Sequence, residues 1–404
     1  MVNSPVKSST IVIVGGGVIG LSTAYQLARR KAGRVVLLEK GTVGDGSSSR
    51  AAGITTGLLW SDTGIRARKI GLDIFRQLSD ELDGYTYHDE HGCLNLFSPD
   101  MWRGREPLLP QYDRIGTPYD VFGADEISRR WPALHPPEDV IGLFDPSGGY
   151  SEPSEYIPAL AERSRQLGVE VCEGEQVEKI LVRGGRCAGV RTNGKTIEAD
   201  VVISTVHVWS LALWAHLDLR LPMKSFVHQR YVSTPLPEPL SIPPVNANIF
   251  EGYVRPATGN RILLGTESMD RQEWKVDGTD FQMSKVAAPI DLRDRAVETV
   301  APFLPALKDV GWESEHVGLL SFSCDGEPLL GPVKELPGLL VGASFHSGGF
   351  SYNTAVGLLL AEFVVDGKPR IDLSAFSPDR FESEEVDAFL STTVSQSSAV
   401  PRRH

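Results

Sequence analysis

A strand, a glycine turn and a helix in immediate succession constrain this chain more than any other feature. Thr10 to Val14 is a short β-branched run with the composition of a buried parallel strand. It leads into Gly15-Gly16-Gly17-Val18-Ile19-Gly20, and from there to Arg30 the apolar residues fall at helical spacing. Gly33 stops the helix, and Arg34 to Glu39 reads as a second buried strand ending in an acid. Gly15 allows the tight turn, Gly17 lets the backbone approach a pyrophosphate, and Gly20 lets helix and strand pack closely. The helix N-terminus offers unpaired N–H groups and the positive end of its dipole to phosphates. Glu39, nineteen residues past Gly20, is placed to accept both hydroxyls of a ribose and would repel a 2′-phosphate, which argues against NADP. Glycine-rich turns also occur without a ligand. Here strand, helix, second strand and terminal acid fall in register, so a bound dinucleotide is expected.

At 404 residues the chain suits two intertwined or sequential domains. A formal net charge of -12 excludes the basic footprint that nucleic acid requires. No basic amphipathic stretch points to a membrane surface. The apolar run 11–20 carries three adjacent glycines and no cleavage-site pattern, so it reads as strand and turn, not as a signal peptide. Residues 355–365, interrupted by Gly357 and Glu362, are too few to span a bilayer. The four cysteines are scattered, without metal-ligand spacing. A soluble, cytoplasmic protein with reduced thiols and no metal site is expected.

A second glycine-rich turn lies far downstream. Leu339 to Ala343 reads as a buried strand, followed by Ser344-Phe345-His346-Ser347-Gly348-Gly349-Phe350 and a helix from Asn353 to Val365. Two such turns aimed at helix N-termini suit a ligand with two ends. One takes a diphosphate; the other sets its dipole near a flavin pyrimidine ring, where negative charge develops on reduction. For the second turn an ordinary strand-to-helix connection is the alternative.

The chain resembles the D-amino-acid oxidase superfamily of FAD enzymes, nearest the branch of sarcosine oxidases and dimethylglycine or sarcosine dehydrogenases. The segments that carry the resemblance run in order along nearly the whole chain: VGGGVIGLSTAYQLARR with LLEK, SSSRAAGI, GGYSEPSEYIPALAERSRQLGVEV, HQRYVSTPLPEP, YVRPATGNRILLGTES, GLLSFSCDGEPLLGP, GASFHSGGFSYNTAVGLLLAE and DLSAFSPDRF. The resemblance implies an α/β fold (α+β overall) with a Rossmann-like FAD-binding domain assembled from 1–80, 148–210 and 311–382. Residues 81–147 and 211–310 would build a substrate domain on a large mixed or antiparallel sheet. A Ser/Thr-rich tail, 383–404, stands where long dehydrogenases of the branch carry a folate-binding module, so no such module is expected.

The resemblance also implies where FAD is held. Beyond Gly15, Gly17, Gly20 and Glu39, contacts are expected at Val18, Ile19 and Lys40, and along Ser47, Ser48, Arg50, Ala51, Ala52 and Gly53. Val177, Thr205 and Trp209 follow, and then Gly342, Ser347, Gly348, Gly349, Phe350 and Ser351. The flavin is expected to be held without a covalent bond. The histidine that carries flavin in dimethylglycine dehydrogenases is replaced by Arg50, and the attachment cysteine of monomeric sarcosine oxidases falls on Gly318. Cys324 takes a neighbouring proline position and is not the attachment site.

Other departures concern the chemistry. The lysine that assists oxygen in monomeric sarcosine oxidases falls on Leu263, which tilts the reading toward a dehydrogenase or a slow oxidase. The basic pair that holds a substrate carboxylate falls on Gly53 and Ser351, and the arginine of glycine oxidases on Leu320. Arg255 and Arg261 are candidate replacements, with solvated surface arginines as the plain alternative, or else the substrate has no carboxylate at that spot, as in a larger secondary or tertiary amine; Ser351 and His346 are further substrate-binding candidates. Tyr253 matches an active-site tyrosine. Glu267 stands where a histidine is usual and is a candidate to take a substrate ammonium proton, or else an exposed strand-end carboxylate. His207 occupies a position that is usually glycine, so its side chain either displaces the backbone from the cofactor or points at it.

These features lead to FAD-dependent oxidation of a C–N bond in a small amine or amino acid. The imine would be hydrolysed by water, with O2, an electron-carrier protein or a quinone as acceptor. Oxidation of a 2-hydroxy acid or alcohol is the alternative; another is a flavin subunit of a hetero-oligomer. A homo-oligomer is equally open.

Overall fold

The computed structural model describes residues 9–266, 271, 273–287 and 291–392. Its first layer is a six-stranded sheet in the order Leu329–Pro332, Leu339–Ala343, Val201–Ser204, Thr10–Val14, Arg34–Glu39 and Glu170–Glu173, parallel except for the first pair. Thr10–Val14 runs through its middle, and Ile11, Val12 and Ile13 are wholly buried. Alternate residues enter different cores. Ile11, Ile13, Val35 and Leu37 meet a layer of helices, whereas Val12, Val14, Val36 and Leu38 meet a three-stranded antiparallel sheet and its surroundings. Both faces are covered, which is why these strands read as unbroken apolar runs.

The helical layer centres on the first helix (Val18–Arg29), which crosses an almost wholly buried inner helix (Gly349–Val365). At the crossing a Cβ on Gly357 would lie 2.5 Å from the carbonyl carbon of Ser22, so the two backbones touch. Ser22 Oγ and Tyr156 Oη both donate to Asn353 Oδ1, the latter over 2.6 Å, closing a buried polar knot at the crossing.

A second layer is an eight-stranded sheet in the order Trp312–Ser323, Met223–Ser233, Arg261–Thr266, Gly252–Ala257, Val245–Ala247, Cys93–Phe97, Ile141–Asp145 and Asp120–Gly123. It is antiparallel except where Val245–Ala247 meets Cys93–Phe97. The fold is therefore mixed α/β with a Rossmann-like sheet and a large mixed sheet. Trp312–Ser323, within the stretch assigned from sequence to the cofactor domain, pairs along its length with Met223–Ser233 and so lies in the large sheet. Among the described residues no helix is long and apolar enough to cross a membrane.

Arg255 ties the large sheet to the Ser47–Gly53 segment and to the start of the helix Pro153–Gln166. Its side chain is fully buried, donating from Nη1 and Nη2 to the two oxygens of Glu152 at 2.7 and 2.8 Å, and from Nε to the Ala52 carbonyl at 2.6 Å. It is thus committed to the fold and does not line the cavity described below, in contrast to the substrate-binding role expected of it. Arg261 is half-buried and pairs with Glu313 at 2.6 Å. Burial raises the Glu152 carboxyl, and the Arg255 hydrogen bonds and charge more than offset this, leaving it below its ordinary value. A depressed carboxyl stabilises at neutral pH, and that contribution disappears as pH falls through the folded-state value. Arg255→Met, which strands a buried carboxylate, is expected to cost about 3–5 kcal/mol, read as a lowered Tm at pH 7. Below the carboxylate range the gap between variant and wild type should narrow; an equal gap at pH 7 and pH 3 would refute the assignment.

Candidate functional site

A cavity of about 300 Å³ lies between the two large sheets, at the carboxyl end of Thr10–Val14. That is where ligands sit in open parallel sheets. Gly15, Gly17, Val18 and Ile19 line it. Gly20 does not: a Cβ there would lie 2.0 Å from the Gly15 carbonyl oxygen, so its task is close packing of helix on turn. Thr205 fixes the turn from the next strand, its hydroxyl donating to the carbonyls of Val14 (3.0 Å) and Gly15 (3.1 Å). The Val18 N–H reaches Ser48 Oγ at 3.0 Å, which brings the small-residue segment over the helix N-terminus. Glu39 faces the cavity with its carboxylate oriented by the N–H groups of Gly16 (2.7 Å) and Gly41 (2.9 Å). A glycine cradle at a helix N-terminus, beside an oriented carboxylate, fits the diphosphate and ribose of a dinucleotide.

This end of the cavity is covered by a strap, residues 273–287, which sequence reasoning did not identify. Lys40 Nζ donates to the carbonyls of Thr279 (3.0 Å) and Phe281 (2.6 Å) while lying 4.1 Å from the centre of the Trp209 ring. Trp209 Nε1 donates to the same Phe281 carbonyl at 3.0 Å, and Gln176 Nε2 to Thr279 Oγ1 at 3.2 Å. Lys40, Trp209 and Val177 all line the cavity, as do Thr279, Gln282 and Met283 of the strap.

The segment Ser47–Gly53 forms another wall, with Ser47, Ser48, Arg50, Ala51, Ala52 and Gly53 all lining the cavity. Ser47 Oγ donates to the Leu319 carbonyl at 2.8 Å, and Arg50 Nη1 to the Asp45 and Gly46 carbonyls. Arg230, buried beneath, donates to the carbonyls of Ser49 and Arg50, each over 3.0 Å. A Cβ on Gly318 would lie 2.9 Å from Arg50 Cδ. Arg50 and Gly318, the two positions at which the resemblance would place a covalent flavin link, therefore face each other, and the stem of Arg50 fills the space between them.

The second glycine turn contributes Phe345, His346, Ser347, Gly348, Gly349, Phe350 and Ser351, with Gly342 at the end of its strand. Ser344 and His346 both have left-handed backbone (φ 55° and 57°). His346 packs edge-on to Phe322 at 5.0 Å. The Ser351 hydroxyl donates to the Ile54 carbonyl, so this side chain is used in joining the turn to the Ser47–Ile54 wall.

The fourth wall is one face of the eight-stranded sheet. Asn95, Asn246, Tyr253, Gly265 and Arg230 stand opposite one another on five successive strands or their neighbours, so their side chains share a face. Tyr253 Oη lies 2.7 Å from His228 Nε2 with the rings stacked 13° apart, and Asn246 donates to Asn95 Oδ1 at 2.8 Å. His228, Asn95 and Asn246, like Tyr253, line the cavity. Only Tyr253 was expected from the sequence. The available signal was the period of two: His228 and Arg230, two residues apart on Met223–Ser233, share a face, and Gly265 faces Tyr253 where a Cβ would meet the ring at 1.8 Å.

His207 lines the cavity with left-handed backbone (φ 48°), the conformation a glycine would supply at no cost. Its Nε2 donates to the Leu319 carbonyl at 3.2 Å. Burial, only partly offset by that bond, lowers its pKa to about 4, so it is neutral at physiological pH. Glu267 lies outside the described residues. Cys324 does not line the cavity.

Comparison with known proteins agrees with this geometry. Residues 10–363 match the DAO family, described as FAD dependent oxidoreductase. The chain is 27% identical over 384 residues to 4-methylaminobutanoate oxidase (formaldehyde-forming) of Paenarthrobacter nicotinovorans, covering 93% of this chain and 46% of that relative. The chain thus spans less than half the length of this relative and of the mouse sarcosine dehydrogenase, of which it covers 42%. Glycine oxidase of Geobacillus kaustophilus is 28% identical over 92% of this chain and 96% of its own length; its crystal structure superposes with a TM-score of 0.78. The crystal structure of L-proline dehydrogenase from P. horikoshii shares the fold, with a TM-score of 0.85 at 22% identity over 94% of this chain and 99% of that one.

Two outcomes are expected of the site. Lys40→Met, which frees the strap at both carbonyls, should speed release of FAD several-fold, followed by the rise of free-flavin fluorescence after dilution; an unchanged rate would show that the strap does not retain the cofactor. Acid precipitation should leave the flavin in the supernatant, and a yellow pellet would contradict non-covalent binding.

Proposed function

Because the chain belongs to the DAO family of FAD dependent oxidoreductases, we propose that it oxidises a C–N bond of a small amine or amino acid, with secondary or tertiary N-methyl amines foremost. The observation that carries this reading is the Tyr253–His228 pair, 2.7 Å apart and facing the cavity from the large sheet. A protonated amine has no lone pair to release, so its proton must leave before the C–H bond breaks. Tyr253 Oη takes that proton as it gives its own to His228 Nε2, 2.7 Å away, so the proton ends on the imidazole. Bound FAD supplies the acceptor for a hydride from the carbon next to nitrogen. Asn95 and Asn246 offer neutral polar groups that orient the substrate against the same wall, and the strap and second glycine turn keep water from the cavity. The released imine is hydrolysed by water.

The names of similar proteins support the substrate class: 4-methylaminobutanoate, glycine and sarcosine each combine an amine with a carboxylate. His207 and Glu267 remain candidates for proton handling, His207 as a neutral imidazole fixed on Leu319. His346 and Ser351, which line the cavity at the second glycine turn, remain candidates for substrate contact. The acceptor we favour is an electron-carrier protein or quinone. Supporting this, Lys40 is the lysine that lines the cavity among the described residues and is held by the strap, and Leu263 is buried away from it. A reducing, cytoplasmic setting suits the four cysteines, all free thiols.

Anaerobic addition of N-methyl amines, D- and L-amino acids and 2-hydroxy acids to the flavoprotein should bleach the flavin with amines. Bleaching by hydroxy acids alone would overturn the reading. Tyr253→Phe keeps the ring but loses the hydroxyl, so the bleaching rate should fall about 10²-fold at pH 7 and recover as pH rises toward the substrate's own amine pKa. A pH-independent loss would assign Tyr253 to packing instead.

A further inference from the structure

Arg68 is a buried cation that faces the cavity. It lies on the helix Asp62–Glu81, one turn in from Gly64, whose N–H is capped by Ser61 Oγ at 3.1 Å. Its guanidinium stands 4.1 Å over the Tyr352 ring and lines the cavity, with only 5% of the residue exposed. A Cβ on Gly348 would lie 2.5 Å from Arg68 Nη2, so the second glycine turn leaves the space this side chain occupies. Among the described residues no carboxylate comes within ion-pair distance of it, its polar neighbour is Tyr352, and Nε has no hydrogen-bond partner.

The fold pairs its other deeply buried cations near this cavity differently. Arg255 meets Glu152 at 2.7 Å and Lys224 meets Glu273 at 2.9 Å. Arg230, Lys40 and Arg50 are each tied to carbonyl oxygens. Burial lowers the Arg68 guanidinium from its ordinary value, yet an arginine stays charged at neutral pH. A desolvated charge of this kind is strongly unfavourable unless a ligand completes it. A second observation points the same way. Arg105, also wholly buried and without a carboxylate partner among the described residues, stacks 4.6 Å from the centre of Trp60 and donates to the Leu58 carbonyl. Leu58, Leu59, Trp60 and Ser61 line the cavity with Arg68 and Tyr352, so two buried arginines back this end, Arg105 through its bond to the Leu58 carbonyl; Glu327 also lines the cavity and acts on Tyr352. The diphosphate cradle is the other glycine turn, and the positions where relatives carry a basic clamp are Gly53, Ser351 and Leu320 here, all lining the same cavity without a cation.

We propose that Arg68 holds the carboxylate of an amino-acid substrate at the Leu58–Ser61 end of the cavity. The proposal rests on the amine-oxidising reading for its substrate, and it narrows that class to amines that also bear a carboxylate. A delocalised guanidinium stacked on an aromatic ring presents its N–H edge to a planar anion, which an ammonium on a flexible stem does less well.

The test uses the FAD-loaded protein and ligands that cannot be oxidised, so that it is independent of turnover. Acetate, and acetamide as its neutral isostere, are titrated while the visible flavin spectrum is followed. Wild type should bind acetate, Arg68→Met should bind it at least tenfold more weakly, and Arg68→Lys should fall between; acetamide affinity should be the same in all three. FAD release should be unchanged, which also shows the variants to be folded. Equal acetate affinity in wild type and Arg68→Met overturns the proposal, as does a wild type that does not bind acetate. A shift in flavin midpoint potential with acetate affinity unaltered would assign the charge to the reduced cofactor and equally overturn it. A wild type that binds acetate through Arg68 but is bleached by no amine would sink the C–N reading and leave the carboxylate site standing.

Discussion

Backbone contact between the first helix and its neighbours is the constraint from which the site follows. Gly20 brings the helix onto the Gly15 carbonyl, and Gly357 brings the inner helix onto Ser22. Because both contacts are made without a Cβ, the two helices converge with their N-termini toward one cavity, each preceded by a glycine turn. A side chain at either place would part them by more than an ångström, and close-packed interiors do not absorb such a shift locally. The Ser22–Asn353–Tyr156 knot then fixes the crossing against sliding. What the two turns share is therefore a ligand long enough to touch both.

The large sheet depends on a different device. It is joined to the nucleotide-binding layer through Arg255, whose guanidinium is fully used by Glu152 and the Ala52 carbonyl. The joint sits one strand position from the cavity: Arg255 and Tyr253 lie two residues apart on the same face of Gly252–Ala257. Anchoring the strand at Arg255 thus positions Tyr253, and the Tyr253–His228 contact inherits its precision from an ion pair that takes no part in the chemistry. Arg230 does the same for the opposite wall by holding the Ser49 and Arg50 carbonyls.

The nucleotide end was legible in the sequence because its chemistry is local. Gly15 to Gly20, the helix and Glu39 are contiguous, and each residue's task follows from the turn it must make; the structure corrects only Gly20, which packs as expected but does not line the cavity as a cofactor contact would. The substrate end was not legible, because its meaning lies in partners far along the chain. Arg255 looked like a free cation until Glu152, 103 residues away, was found against it. His228 and Tyr253 meet across strands, and a period of two tells which residues share a face without telling which face meets the cavity. Arg68 sits in an amphipathic helix among Arg66 and Lys69, where an arginine reads as surface; only its placement over Tyr352 shows that it points inward. The strap is hidden for a related reason, since Lys40 engages backbone carbonyls, which leave no mark in the residues that own them.

His207 shows how charge and shape are divided within the cavity. Its left-handed backbone is strained for any residue but glycine, and the bond to Leu319 holds the ring against the wall in its neutral form. Lys40, Arg50 and Arg230 are likewise bound to carbonyl oxygens, and Glu39 to backbone N–H groups. Most charges around the cavity thus shape its walls: Arg230 shares the sheet face but is spent on the Ser49 and Arg50 carbonyls, leaving Asn95, Asn246 and Tyr253 as uncharged groups that line the cavity. Uncharged groups there suit a reaction in which the amine must lose its proton before it gives up a hydride. With Lys40, Arg50 and Arg230 so committed, a ligand's own anion is left to meet Arg68, which has no carboxylate within ion-pair distance among the described residues although Glu327 lines the same cavity and acts on Tyr352.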